Sequence, residues 1–361
     1  MAPAGPRSPA RKRIKTAPGV TLPPDMLFEV FLNLPASSVC RFRTVCRSCP
    51  RSWHVDLVDL AGTVARRTPL AESGARELLT CGDLACLIGT GNGIARVLDP
   101  ATGAVTVLPP GLSEENKAGE GWGRRESFHV VAYAFGRVSS TGEYKLLRLV
   151  RLLRYTPSCG SGLVAEVLTL GDPRWRSRRS PLVLVAADRM DSMAVIDGVV
   201  YFLALQIEQL PFFVNNSVSA EPGSIASFNL ETEEWMPILR GSLNGRQPQL
   251  LTLTELNGFF VTVHSDRCQR SSMDLWFLND SKQKTWVKRY SIRLDLCPRR
   301  RVFSTHPLFA DDRKILLLVR PKGVLMVYDL QTGSCKDLDH INCVPVSLYK
   351  GSMLSSRSVQ D

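Results

Sequence analysis

Val327-Tyr328-Asp329-Leu330-Gln331-Thr332-Gly333 decides how this chain folds, because the same device occurs elsewhere along it. Val97-Leu98-Asp99-Pro100-Ala101-Thr102-Gly103 and Ser227-Phe228-Asn229-Leu230-Glu231-Thr232-Glu233 follow one logic with it, and Phe277-Leu278-Asn279-Asp280-Ser281-Lys282 is a looser copy. Each is an apolar run ending in Asp or Asn, whose short side chain can accept backbone N–H groups just ahead and start a turn. A Thr follows, and in two of the copies a Gly, which supplies positive φ before a return strand. Trp235 and Trp286 come soon after their turns, where an aromatic can wedge between neighbouring sheets.

Outward from these turns, the pattern from about residue 78 is one of short alternating or apolar runs separated by turn residues, the signature of strands. Residues 85–88 and 94–98 flank a glycine-rich tip as a hairpin. Further strands are expected at 129–135, 144–149, 163–170, 194–203, 224–229, 258–264, 275–278, 315–319 and 323–328. No long amphipathic helix interrupts them, which argues against a parallel sheet with crossover helices. Hairpin units recurring over the whole length predict small sheets stacked radially, a β-propeller-like body; a β-sandwich is the structural alternative.

Residues 22–53 have a different character. Leu22, Leu27, Val30, Phe31 and Leu34 fall on one stripe at helical spacing. Pro23 and Pro24 suit a helix entry, Asp25 complements the positive end of the helix dipole, and Pro35 stops the helix. Ser37 or Ser38 can cap a second helix that buries Val39, Phe42, Val45, Cys46 and Cys49, with Arg41, Arg43 and Arg47 on the wetter side. So short a unit rarely stabilises itself, and it carries more Leu, Phe and Val than one internal face needs. The surplus points to a helix docked in a partner's groove; the other reading is a small bundle belonging to the body that follows. The expected fold class is α+β multidomain. A basic tail (1–20) precedes a small helical domain (21–65), a linker (66–77), an all-β propeller-like domain (78–348) and a C-terminal tail (349–361).

The run Leu22-Pro23-x-Asp25-x-Leu27-x-x-Val30-Phe31-x-x-Leu34-Pro35, followed by Val39 and Arg41-Phe42-Arg43-x-Val45-Cys46-Arg47-Ser48, resembles the F-box motif of plant F-box proteins. That resemblance implies docking onto a Skp family adaptor, and through it onto a cullin–RING ubiquitin ligase. It places Leu22, Pro23, Leu27, Val30, Phe31, Leu34, Pro35, Val39, Phe42, Val45 and Cys46 at adaptor-binding and core positions. Cys49 stands where the family usually has a Trp, and leaves less apolar area for the adaptor. The body resembles the F-box-associated domain through Asp99-Pro-Ala-Thr-Gly103, Thr141-Gly-Glu-Tyr-Lys145, Asp197-Gly198-x-x-Tyr201-Phe202, residues 227–235, Glu255-Leu256-x-Gly258, and Met273-Asp-Leu-Trp276 through Trp286-Val-Lys-Arg-Tyr290. The resemblance implies a substrate-recognition subunit of an SCF-type E3 ligase, with the β domain recruiting a protein for ubiquitination.

Bulk composition agrees with an interaction protein. The chain has 361 residues, a formal net charge of +11 and ten cysteines. No apolar stretch is long enough to cross a bilayer, and the start is basic and proline-rich instead of a signal core, so a soluble protein with reduced thiols, cytoplasmic or nuclear, is expected. Arg11-Lys12-Arg13-Ile14-Lys15 reads as a nuclear import signal or a solubilising tail. The cations are dispersed with no nucleic-acid module to organise them.

Cys46-x-x-Cys49 near His54 lies on an apolar face and lacks a second cysteine pair at finger spacing, so no metal is assigned. Gly89-Thr90-Gly91-Asn92-Gly93 lacks the spacing and the Lys-Ser/Thr of a phosphate loop. No Gly-x-Ser-x-Gly occurs, the five histidines are scattered, and no catalytic residue or cofactor is assigned. For target recognition the sequence offers three arginine clusters, at 148, 151 and 154, at 174, 176, 178 and 179, and at 299–301. Leu210-Pro211-Phe212-Phe213-Val214 adds an aromatic lip. Arg148, Arg151, Arg154, Arg176, Arg178, Phe212 and Phe213 are therefore the candidate target contacts. The rival from another class is a β-propeller enzyme or carbohydrate-binding protein whose N-terminal helices are a cap.

Overall fold

The turns begun by Asp99, Asn229 and Asp329 form in the structure as their residues dictate. Asp99 Oδ1 accepts the N–H groups of Ala101 and Thr102 at 2.9 and 3.3 Å. Asn229 Oδ1 accepts those of Glu231 and Thr232 at 2.7 and 3.3 Å, and Asp329 Oδ1 those of Gln331 and Thr332, both at 2.9 Å. Gly103 and Gly333 then take φ of 80° and 66°, and Glu233, in the equivalent place, 57°. Each turn joins the third and fourth strands of a four-stranded antiparallel sheet.

The computed structural model describes residues 43–49, 52–58, 64–70, 75–89, 94–117, 127–153, 163–187, 189, 191–205, 220–242, 251–265, 272–280, 285–294, 304–320, 324–342 and 345–351. Among these, six four-stranded sheets occur, all within the compact unit Cys40–Asp361. The first holds β1 (Arg43–Cys49), β2 (Ser52–Val58) and β3 (Val64–Leu70), completed from the other end of the chain. The second is β4 (Ala75–Cys81), β5 (Leu84–Gly89), β6 (Ala95–Leu98) and β7 (Val105–Val107), followed by a short helix, α1 (Glu114–Lys117). Next come β8 (Ser127–Arg137), β9 (Tyr144–Leu153), β10 (Leu163–Thr169) and β11 (Arg176–Arg178). The fourth sheet is β12 (Met193–Ile196), β13 (Val199–Leu203), β14 (Ile225–Asn229) and β15 (Glu234–Trp235). The fifth is β16 (Leu251–Leu256), β17 (Phe259–Ser265), β18 (Ser272–Asp280) and β19 (Thr285–Arg293). The sixth is β20 (Ser304–Ala310), β21 (Lys314–Arg320), β22 (Val324–Asp329) and β23 (Cys335–Asn342).

The last strand, β24 (Val346–Leu348), returns to the first sheet, in the order β24-β1-β2-β3, with Thr44 opposite Ser347 and Val45 opposite Val346. First strands neighbour one another from sheet to sheet: β24 beside β4, then β8, β12, β16 and β20. Thr80 on β4 donates to the Leu348 carbonyl at 2.6 Å, tying the C-terminal strand to the next sheet. Sheets arranged as blades, with their first strands around an axis, make a β-propeller.

Strands in the middle of a blade, covered on both faces, are apolar on both. Along β21, Ile315, Leu316, Leu317, Leu318 and Val319 are all buried. Leu147, Leu149 and Val167 of one blade pack with Phe202 and Phe228 of the next, and Val261, Leu275 and Phe277 pack with Ile315 and Leu317. Indoles stitch the blades at their outer strands. Trp175, Trp235 and Trp286 donate their ring N–H to the carbonyls of Pro109, Arg179 and Arg240, at 2.7, 2.7 and 3.1 Å. Each acceptor lies just beyond the outer strand of the preceding blade. Replacing Trp235 by Phe keeps the ring against Phe228 and removes one bond, so thermal or chemical denaturation should show a loss of about 1 kcal/mol.

One expectation is overturned. The segment expected to form the second helix, with Val45, Cys46 and Cys49 on its buried face, is strand β1, and strands β2 and β3 occupy residues assigned to the helical domain and linker. Local periodicity could not reveal that β1 is sandwiched: it pairs with β2 along its whole length and with β24 from the far end of the chain. The β2 ladder runs the length of β1, and the β24 ladder covers its other edge at Arg43, Thr44 and Val45. Leu22, Pro23, Leu27, Val30, Phe31, Leu34, Pro35, Val39 and Phe42 lie outside the described residues, as do Arg154, Phe212 and Phe213.

Candidate functional site

A cavity of about 630 Å³ is lined by first strands and their turns: β4, β12, β16, β20 and β24. Its ionisable lining is dominated by the carboxylates of Glu77, Asp191, Asp197 and Glu255, against the one lysine Lys350. Glu255 accepts Lys350 Nζ at 2.5 Å with one oxygen and the Gly258 N–H at 2.5 Å with the other. Asp191 lies 3.7 Å from Arg189. Asp197-Gly198 and Asn257-Gly258 each place two successive residues at positive φ, the geometry of tight hairpin turns, beside the cavity. Burial pushes the lining Cys81 thiol upward, away from thiolate chemistry. In a chain of net positive charge the lining of this cavity carries more carboxylates than cations, with Glu255 paired to Lys350 and Asp191 beside Arg189.

The arginines expected to form recognition strips are differently placed. Arg148 is 1% exposed. Its Nε and Nη2 donate to Glu166 Oε2 at 2.8 and 2.5 Å, Nη2 also reaches the Gly111 carbonyl at 2.5 Å, and the guanidinium lies 3.9 Å from the Trp175 ring centre. Glu166, fully buried, also accepts Ser113 N–H at 2.9 Å and Asn116 Nδ2 at 2.7 Å, which fastens the segment before and within α1 to the blade. Three residues on, Arg151 points to the opposite face of β9, so 148 and 151 make no common strip.

Arg176 and Arg178 converge with Lys145 on Glu233 of the next blade. Lys145 Nζ and Arg176 Nη2 approach Glu233 Oε1 at 2.8 and 2.7 Å, and Arg178 binds Oε2 through both Nε, at 2.7 Å, and Nη2. Burial alone raises the Glu233 carboxyl, but the bonds from Arg176, Lys145 and Arg178 outweigh it and hold the pKa at about 2. These guanidinium groups lock two blades together and are already engaged.

Trp175, Glu166 and Glu233 were missed by sequence reasoning. For Glu233 a signal existed, since it replaces the turn glycine of the other copies.

A family model of the F-box associated beta propeller domain matches residues 76–311, more than half of the chain. The chain belongs to the F-box associated β-propeller family. An F-box domain model matches residues 21–55, ahead of the propeller match and ending within β2. No curated protein matches the chain. Among solved structures, one of a functionally unknown protein from Desulfotomaculum acetoxidans aligns at 10% identity and TM-score 0.44, over 86% of this chain and 100% of that one. The β-propeller domain of the Trilobed protease from Pyrococcus furiosus aligns at 11% and 0.43, over 82% and 78%. A chain of a nidogen/laminin complex aligns at 8% and 0.42, over 85% and 97%. The propeller assignment of this F-box associated domain stands on its own sheets and on the family match.

Proposed function

We propose that this chain is the non-catalytic substrate-recognition subunit of an SCF-type ubiquitin ligase. The observation that carries the reading is the pairing, on one chain, of an F-box match with an F-box associated propeller. F-box domains bind Skp family adaptors. Leu22, Leu27, Val30, Phe31 and Leu34 supply the apolar stripe for that docking, and the propeller holds a protein target in the cytosol or nucleus. Its contribution to catalysis is positional, raising the target's concentration near an active site carried by another subunit.

Proximity labelling with the full chain and with a Leu27→Asp/Leu34→Asp variant tests this. Ligase components should be labelled by the wild type and lost from the variant, while body-bound targets are labelled by both. Equal labelling of ligase components by the two proteins contradicts the docking role.

A further inference from the structure

Strand β1 has two claims on it. The F-box match covers residues 21–55, so its last part is the same stretch of chain as β1 and the start of β2. In the first blade β1 has a strand on each side. Val45 stands opposite Asp56 of β2 and Val346 of β24, and Cys46 stands opposite Val55. Val45 and Cys46 are also two of the residues that the F-box resemblance places at adaptor-binding and core positions. With both edges paired inside a blade, β1 is not free to dock in a partner's groove.

Its sequence suits that place poorly. The second strands of other blades read Leu84-Ala-Cys-Leu-Ile-Gly89, Val199-Val-Tyr-Phe-Leu203 and Lys314-Ile-Leu-Leu-Leu-Val-Arg320. Strand β1, in the same position, reads Arg43-Thr-Val-Cys-Arg-Ser-Cys49 and has little apolar surface to give a blade. Its ladder with β24 spans only Arg43, Thr44 and Val45. Pro50 and Arg51 join it to β2, whereas two-residue hairpin connections favour positive φ at their first residue, which the proline ring forbids.

The neighbours of β1 have holds of their own. Strand β3 pairs with β2 from Trp53 to Val58, and Arg67 donates to the buried Asp56 at 2.7 and 2.9 Å. Thr80 donates to the Leu348 carbonyl beside β24, and the buried Tyr349 donates to the Asp83 carbonyl at 3.2 Å. Strand β1 can therefore leave while β2 and β24 keep other partners. Apolar residues at 39, 42, 45, 46 and 49 also satisfy a helical period, which gives the released segment a second way to bury them.

We propose that β1 is a conformational switch: the Skp family adaptor draws it out of the first blade, and closure of that blade withholds it from the adaptor. The inference rests on the substrate-receptor reading and adds a regulation to it. Adaptor binding and ring closure then compete for one strand, and the adaptor's apparent affinity falls with the closed fraction.

The test locks β1 to β24 in the full chain. Thr44 and Ser347 face each other across the ladder, and directly opposed residues of antiparallel strands have Cα atoms about 4.5–5.5 Å apart, within disulfide range. Thr44→Cys/Ser347→Cys, oxidised and with the bond confirmed by mass, should bind purified adaptor about tenfold or more weakly than the same protein after reduction. Wild type and Thr44→Cys alone, which carry the native cysteines, should each bind equally in both states. Equal affinity of the locked and reduced double variant overturns the switch and leaves the ligase reading standing. No binding by wild type in either state removes the ligase reading and the switch with it. Hydrogen exchange on the unmutated chain is the second readout. Saturating adaptor should speed exchange at the amides of β24 while those of β21 and β22 keep their protection. Unchanged exchange in β24 overturns the switch even where the engineered bond fails to form.

Discussion

Arg148→Met is expected to lower stability by about 3–5 kcal/mol, the loss found when one partner of a buried ion pair is removed. The methionine fills much of the space over Trp175 but leaves the fully buried Glu166 carboxylate with only the Ser113 N–H and the Asn116 amide. Since domains of this kind are stable by about 5–15 kcal/mol, a single change there removes a large share of the margin. Denaturant unfolding followed by tryptophan fluorescence checks it, with Trp175 itself beside the network. A double variant, Arg148→Met with Glu166→Leu, should recover most of the loss, because no charge is then left buried alone. A loss under about 1 kcal/mol in the single variant would mean that the pair behaves like an exposed one.

The second large effect depends on pH. The Glu233 carboxyl, held at about 2 against an ordinary value of 4.5, contributes stability that is fully present above its unfolded pKa. That contribution fades as pH falls through 4.5 towards 2; at 1.36 kcal/mol per pKa unit the fall from 4.5 to about 2 sets a ceiling of about 3.4 kcal/mol, which solvent screening at this partly exposed site lowers to roughly 2 kcal/mol. Glu233→Gln should therefore be less stable than wild type by that amount at neutral pH, with the two proteins converging in acid. Parallel stability profiles across pH 2 to 6 would show that the three cations do not favour the ionised carboxylate.

These two sites also show where a single sequence is readable and where it is not. The turns at Asp99, Asn229 and Asp329 were legible because an Asx turn is local chemistry: side chain, bonded N–H groups and positive-φ residue lie within a few positions. The hairpin around the glycine-rich tip was legible for the same reason, and strands β5 and β6 lie where it was expected. Arg148 was misread as surface because its partners Glu166, Gly111 and Trp175 are set by blade packing. The clue was its setting in Leu146-Leu147-Arg148-Leu149-Val150, a run apolar on both faces, where a charge must be buried and paired. Strand β1 was misread as helix because its second ladder partner, β24, lies at the far end of the chain. Apolar residues at 39, 42, 45, 46 and 49 satisfy a helical period, and nothing near them announces a closing strand. The bulge at Arg289 was equally invisible, since a register shift between Leu275 and Trp276 is a property of the pairing and not of either strand alone.

Titration of purified Skp family adaptor into the full chain, and into its Leu27→Asp/Leu34→Asp variant, tests the central claim most directly. Saturable binding by the wild type, abolished in a variant whose propeller unfolds at the same denaturant concentration, is the predicted result. Undiminished binding by the variant, or none by the wild type, would contradict it.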